Sequence, residues 1–267
     1  MNTASEELRA TAILSVGLAP GLTNLLALQA KQTMDQIKSV DIAIMLGLGD
    51  SHGKAAIEWT VDSLNSSFRI MDNNRRMTVD SFTEGKKTDF GGDLGQHRAY
   101  RFPFSDQQTL PHTLDIGSIS TRLCFDSRVV TVLLALMKRL GLARLLRSKR
   151  IRNLMVSSMS KLRFGSDRYA VKVDAYGQKG GLDASVHYFL QGTNESKITA
   201  ITAAAVADAV YCVELPAGVH HVEQLFELSL HEDHVTLKVT GAAGNQASFK
   251  MEDVRCWSRH DAHLNKD

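Results

Sequence analysis

The chain has 267 residues, 43% of them hydrophobic and 22% charged, with a formal net charge of +2; this fits a globular chain of one large or two small domains and excludes a whole-molecule electrostatic pull toward nucleic acid or membrane. Three widely separated cysteines (Cys124, Cys212, Cys256) form no C-x-x-C pair, which argues against a disulfide framework or thiolate metal site and for a reducing, cytoplasmic setting. The polar N-terminus does not read as a secretory signal, and the longest apolar run, 129–137, is about half a membrane span.

In chain order, residues 11–17 read as a buried strand that turns through Pro20-Gly21 into a helix over 21–35, with Thr23 or Asn24 placed to cap its first amides. Residues 40–46 are a second buried strand, 47–53 a tight turn, and 54–64 a helix with apolar residues at helical spacing. A hairpin is expected over 68–82 around Asp72-Asn73-Asn74, followed by a glycine-rich, extended stretch over 89–104. Residues 127–164 are helical with a break at Gly141. Residues 169–177 and 184–192 alternate polar and apolar, the clearest antiparallel pair in the chain. An alanine-rich helix over 199–215 stops at Pro216, and short strands are expected over 234–239 and 247–251. A short β-α-β unit followed by antiparallel strands predicts an α+β domain built on a mixed sheet with helices.

Four features bear on chemistry. The stretch MLGLGDSHGK, 45–54, runs from a strand through Gly47-x-Gly49 toward a helix start, the layout of a phosphate cradle. Its spacing matches neither the dinucleotide fingerprint nor the P-loop, so an ordinary strand-to-helix turn is the stronger reading. Asp50 and His52 nevertheless stand at the carboxyl end of a strand, where ligands of open α/β sheets collect. The opening turn, Gly17 to Asn24, puts polar groups at a second such end.

The third feature is basic: ten Lys or Arg and no acid lie between Ser127 and Ser166. This amphipathic stretch suits an anionic membrane, nucleic acid or an acidic ligand. The plainer reading solvates the cations and puts Val132, Leu133, Leu136, Leu140, Leu145, Leu146 and Leu154 in the core. The fourth is histidine: His231-x-x-His234, His260-x-x-His263 and His220-His221 lack a third ligand at useful spacing, so no metal site is expected. There is no G-x-S-x-G elbow, and Cys124 reads as a buried small side chain.

Taken together, AILSVGLAPGLTNLLA, GLGDSHGKAAIEWT, AYRFPFSDQQTLPHTL, GSDRYAVKVDAYG and AAAVADAVYCVELPAGVHHVEQLF resemble, in order from about residue 11 to 227, the saccharopine dehydrogenase-like family of NAD(P)-dependent oxidoreductases. The resemblance implies a substrate-binding and dimerisation part acting on an amino acid or related amine. It implies that Gly17, Pro20, Gly21 and Thr23 lie near the nicotinamide cofactor and Asn24 near the substrate. Asp50 and His52 would face them, with His52 the general base, while His97, Arg98 and Tyr100 would recognise a substrate carboxylate.

It also divides the chain: 1–24 as the exit strand of a nucleotide-binding domain otherwise missing, 25–198 as the mixed-sheet substrate and dimerisation domain, 199–267 as a returning helix and C-terminal segment. No strand–GxGxxG–helix unit occurs, so NAD or NADP, used by the family, is not expected to bind this chain alone. The expected partners are a second copy, a separate nucleotide-binding domain and a small-molecule substrate. Nucleic acid and a membrane surface are not expected. Strand 11–17 would offer an unpaired edge, and the helix over 199–215 an apolar face of Ile201, Ala204, Ala205, Ala209 and Val210. The alternatives are a non-catalytic ligand-binding or scaffold protein, or a peripheral membrane protein held by its basic helices at 128–163.

Overall fold

A computed structural model describes residues 10–161, 165–231, 234–241, 244–252 and 254–262. Residues 1–9 of the first expected span, Arg163 of the basic stretch and His263 lie outside them. The elements run β1 (Thr11–Leu14), α1 (Thr23–Thr33), β2 (Gln36–Leu46), α2 (Lys54–Ser63), β3 (Ser67–Asp72), β4 (Arg75–Asp80), β5 (Lys86–Asp89), β6 (Gln96–Arg101), α3 (Asp106–Thr113), β7 (Ile119–Phe125) and α4 (Arg128–Arg139). A 3₁₀ turn (Leu142–Arg147) leads to α5 (Lys149–Lys161), β8 (Arg168–Lys179), β9 (Leu182–Thr193), α6 (Glu195–Cys212), β10 (Gly218–His221), the single turn α7 (Val222–Leu225), β11 (Phe226–Leu230), β12 (Val235–Thr240), β13 (Gln246–Met251) and β14 (Val254–Ala262).

The fold is α+β, as the element order predicts. Its centre is a seven-stranded mixed sheet in the order β14-β9-β8-β2-β7-β6-β5. Only β2 and β7 pair in parallel; each other neighbouring pair is antiparallel. The β8/β9 pair forms with Arg168 opposite Thr193 and Lys179 opposite Leu182, and the β3/β4 hairpin turns on Asn73 and Asn74, both at positive φ. The C-terminal stretch does not stay with α6: β14 returns to the large sheet and edges it against β9.

One face of the sheet carries the main core. Val40, Ile42 and Ile44 of β2, Val171 and Val173 of β8, and Val186 and Leu190 of β9 join Leu22, just before α1, and Leu25 and Leu26 of α1, all essentially buried. The apolar patch of the opposite face is covered by Phe90 and Leu94, which pack on Ala43, Met45, Ala99, Cys124 and Ala170. β7 is buried along its whole length because it lies inside the sheet with both faces covered. Its Arg122 is tolerated there through a 2.8 Å bond to Asp41, which also takes Lys86 at 2.6 Å.

A three-stranded antiparallel sheet, β11-β12-β13, packs beside α1 and α6. Outside both sheets, β1 and β10 form a two-stranded parallel pair, Thr11 opposite Gly218 and Leu14 opposite His221. No further strand pairs with either among the described residues.

The basic segment leaves and rejoins the sheet at one carboxylate. Asp126 accepts the Leu48 and Ser127 amides on Oδ1 (3.1 and 2.9 Å) and the Ser166 amide and hydroxyl on Oδ2 (2.6 and 3.0 Å). Between these anchors α4, capped by Ser127, ends at Gly141 in the left-handed conformation, φ 75°, and the 3₁₀ turn and α5 follow. The expected core placement of its leucines is not what the fold contains. Leu146 is buried, but Val132, Leu133, Leu136, Leu140, Leu145 and Leu154 are exposed, and the large residue α4 buries is Leu134. On α6, Ala205 and Ala209 are buried while Ala204 and Val210 face outward. No helix of the described residues is long and apolar enough to cross a membrane.

Candidate functional site

The two turns singled out in the sequence meet at the start of α6. The first, Gly17 to Leu22, closes with the Leu22 amide on the Gly17 carbonyl at 2.9 Å. Gly21, at φ 141°, fits because a Cβ there would sit 3.0 Å from the Ser15 carbonyl oxygen in a conformation L residues avoid. The Leu18 amide donates to the Thr199 hydroxyl at 3.3 Å, and that hydroxyl donates to Glu195 Oε1 at 3.0 Å. The other Glu195 oxygen lies 3.6 Å from His52 Nδ1.

The second turn is held from the same side. Asp50 accepts the Ser51 amide on one oxygen and the Glu195 amide on the other, each at 2.6 Å. Asn194 caps α6, its side chain taking the Lys197 amide at 2.8 Å. His52 Nε2 donates to the Gly47 carbonyl at 3.1 Å, which fixes the tautomer and leaves Nδ1 aimed at Glu195. The Glu195 carboxylate raises the His52 pKa above 6.5, against the opposing pull of partial burial, with the Gly47 carbonyl and Asp50 adding to the rise. An imidazole fixed at one nitrogen, facing a carboxylate at the other and open in part to solvent suits proton transfer.

Gly47 and Gly49 have another use than a phosphate cradle. A Cβ on Gly47 would collide with the Ser166 carbonyl, and one on Gly49 would sit 2.7 Å from the Gly165 oxygen; the Gly49 amide bonds the Ser166 carbonyl at 2.9 Å. The glycines let the 165–166 backbone pass close to the turn. The donor atoms of Asp50, His52 and Glu195 lie within 4.8 Å of one another, the one such group of three among the described residues. Both Asp50 oxygens are already committed to backbone amides, so the arrangement reads as a hydrogen-bonded relay rather than a cation cage. His231 and His234 stack ring on ring at 4.3 Å and join no such group.

Other expected site residues are placed differently. Thr23 and Asn24 are fully buried, so neither lines a cleft: Asn24 Oδ1 accepts the Gly21 amide at 3.2 Å and its Nδ2 reaches Thr109 at 3.4 Å. Gly21 is buried with them and Gly17 lies under Thr199, whereas Pro20 stays partly open. On β6 the alternation separates the proposed carboxylate binders. His97 points inward against Phe90, its pKa lowered by burial and by Arg128, while Arg98 points to solvent. Tyr100 stacks on Phe82 at 5.4 Å.

Sequence reasoning missed three features. Glu195 is one: it joins His52 only through folding, with no spacing to announce it. A second is Asp106, fully buried, which takes the Thr121 hydroxyl at 2.6 Å and the Gln107 amide at 2.7 Å on Oδ1. Its Oδ2 has no hydrogen-bond partner, the Thr23 hydroxyl being directed at Asn24 Oδ1 at 3.4 Å. Burial raises its pKa from 3.8 to about 6. The third is on the face of the sheet opposite α1, where Asp174 Oδ1 bonds His187 Nδ1 at 2.6 Å and His187 Nε2 meets Ser185 Oγ at 3.2 Å. Burial works to raise the Asp174 pKa, but His187 and Lys172 hold it below 3.8. The pairing of Asp174 with His187 was readable from the β8/β9 register. Ser185 is 3% exposed in mid-strand, closed to a substrate. A groove of about 320 Å³ bounded by Asp41, Arg101 and Arg122 lies at the amino ends of β2 and β7, away from His52, and both arginines there are already paired with acids.

Compared with known proteins, the chain matches no protein-family model and no curated protein.

Proposed function

We propose that this chain supplies the substrate-binding and dimerisation part of a saccharopine dehydrogenase-like, NAD(P)-dependent oxidoreductase acting on an amino acid or related amine. The observation that carries the proposal is the contact chain from the Gly17 turn through Thr199 and Glu195 to His52. It sets a tuned imidazole beside a turn at the end of β1. In this reading the proton of the substrate amine would pass to His52 Nδ1, the nitrogen that the Gly47 bond leaves without a hydrogen, the hydride would go to the nicotinamide held by the separate domain, and the Glu195 carboxylate beside Nδ1 would stabilise the imidazolium.

The nicotinamide nucleotide would be held by a separate nucleotide-binding domain seated on the β1/β10 pair. Parallel strands normally sit inside larger covered sheets, so a two-stranded parallel pair is half-built surface. The face of the large sheet opposite α1 suits a homodimer. It carries both charge signs, with Lys172 3.1 Å from Asp174 and Arg259 3.2 Å from Asp261, so a two-fold copy can set opposite charges together. Three free cysteines suit the cytoplasm.

The test is titration with NADH, NADPH and a panel of amino acids and amines, following nicotinamide fluorescence and the His52 ring resonances. We expect amino acids or amines to move the His52 signals and neither nucleotide to bind. Nicotinamide binding by this chain alone, or a His52 signal indifferent to the whole panel, refutes the reading.

A further inference from the structure

Nine of the sixteen exposed large apolar side chains among the described residues fall within 129–154. Val129, Val132, Leu133 and Leu136 of α4 and Leu140 just after it recur at helical spacing and form one stripe, with Leu133 58% and Leu140 71% exposed. Leu145 of the 3₁₀ turn and Leu154 of α5, 68% exposed, extend the surface. An ordinary surface helix turns such a stripe inward; here it faces out.

Cations accompany the stripe. Arg128, Arg139, Arg144, Arg147, Lys149 and Arg150 are exposed and make no ion pair among the described residues. Arg152 is different, bound to Asp62 at 2.5 Å on α2, and this fastens the arm to the body. No acid occurs from Ser127 to Ser166.

That charge pattern chooses the occupant. A second copy across a two-fold axis would set these cations against themselves with no acid to answer them. Nucleic acid would meet the arginines but leave the leucines in water, and no aromatic residue lies within 128–161 for base stacking. An anionic bilayer satisfies both components: leucine side chains at the boundary of headgroups and acyl chains, guanidinium groups among lipid phosphates. We propose that the arm of α4, the 3₁₀ turn and α5 docks on an anionic phospholipid surface, with the chain lying on the membrane without crossing it. This goes beyond the oxidoreductase reading and does not rest on it.

The experiment is flotation of the full chain with vesicles of phosphatidylcholine alone or mixed with phosphatidylglycerol. Binding is expected to the mixed vesicles at low salt, weakening as salt is raised. Arg139→Gln and Arg144→Gln should each lower partitioning about five-fold. Leu133→Asp with Leu140→Asp should abolish it while leaving thermal unfolding unchanged, because both side chains are already in solvent. No flotation at low salt, or flotation indifferent to the leucine replacements, overturns the proposal. So does a dimer in sedimentation that the leucine replacements dissociate, or binding to single-stranded nucleic acid that displaces the vesicles.

Discussion

Replacing Asp106 with asparagine should change how stability depends on pH. Asp106 is fully buried at the start of α3, bonded on one oxygen to Thr121 and the Gln107 amide, with its other oxygen unmatched. Its pKa is raised from 3.8 to about 6. A raised folded-state pKa means the fold favours the protonated acid. The stability it contributes is complete below pH 3.8 and is lost as pH rises through about 6. At about 1.4 kcal/mol per pH unit, the ionised carboxylate costs the fold about 3 kcal/mol at neutral pH. Asparagine keeps the acceptor for Thr121 and Gln107 and cannot ionise. Urea unfolding followed by circular dichroism, from acid to mildly alkaline pH, should show the variant gaining about 2 to 3 kcal/mol on the parent across that range. The absolute offset between them includes the two unmatched N–H groups of the asparagine amide, so the change with pH is the informative quantity. Parallel stability profiles, with the difference constant from acid to alkaline pH, would refute the reasoning.

Two further outcomes are expected. Glu195→Gln should lower the His52 pKa toward or below 6.5, because the Glu195 carboxylate is the largest cause of its rise; the ring proton signals in an NMR titration report this directly, and an unmoved midpoint would detach the two residues. Leu25→Ala, at a position with no exposure where α1 meets the sheet, should cost about 3 kcal/mol in urea unfolding, and a loss under about 1 kcal/mol would mean the core collapses around the gap.

What could be read beforehand divides by physical cause. The β8/β9 pair and the β3/β4 hairpin were legible because alternation and an Asn-Asn turn are local signals. β7 and α3 were not. β7 is covered on both faces and so has no alternation to show, and α3 carries Pro111 within a short polar run. Each turn was legible on its own as a strand-to-helix turn, their facing each other was implied only by the family resemblance, and the residue that joins them, Glu195, stands alone in sequence and is brought in by the β9-to-α6 connection. The leucines of α4 teach a different lesson. Amphipathic spacing says that a helix has an apolar side; it does not say whether that side meets the protein's own interior or something outside it.

Asp126 has a further consequence. The chain departs at Ser127 and returns at Ser166 on the two oxygens of one carboxylate, and the 38 intervening residues are held to the body besides by buried Leu134, Leu146 and Val156 and by Arg152 on Asp62. The entropy of closing such a loop grows only with the logarithm of its length. A change in the length of the segment between the two anchors is therefore expected to cost little in closure entropy as long as those packed and paired residues are kept.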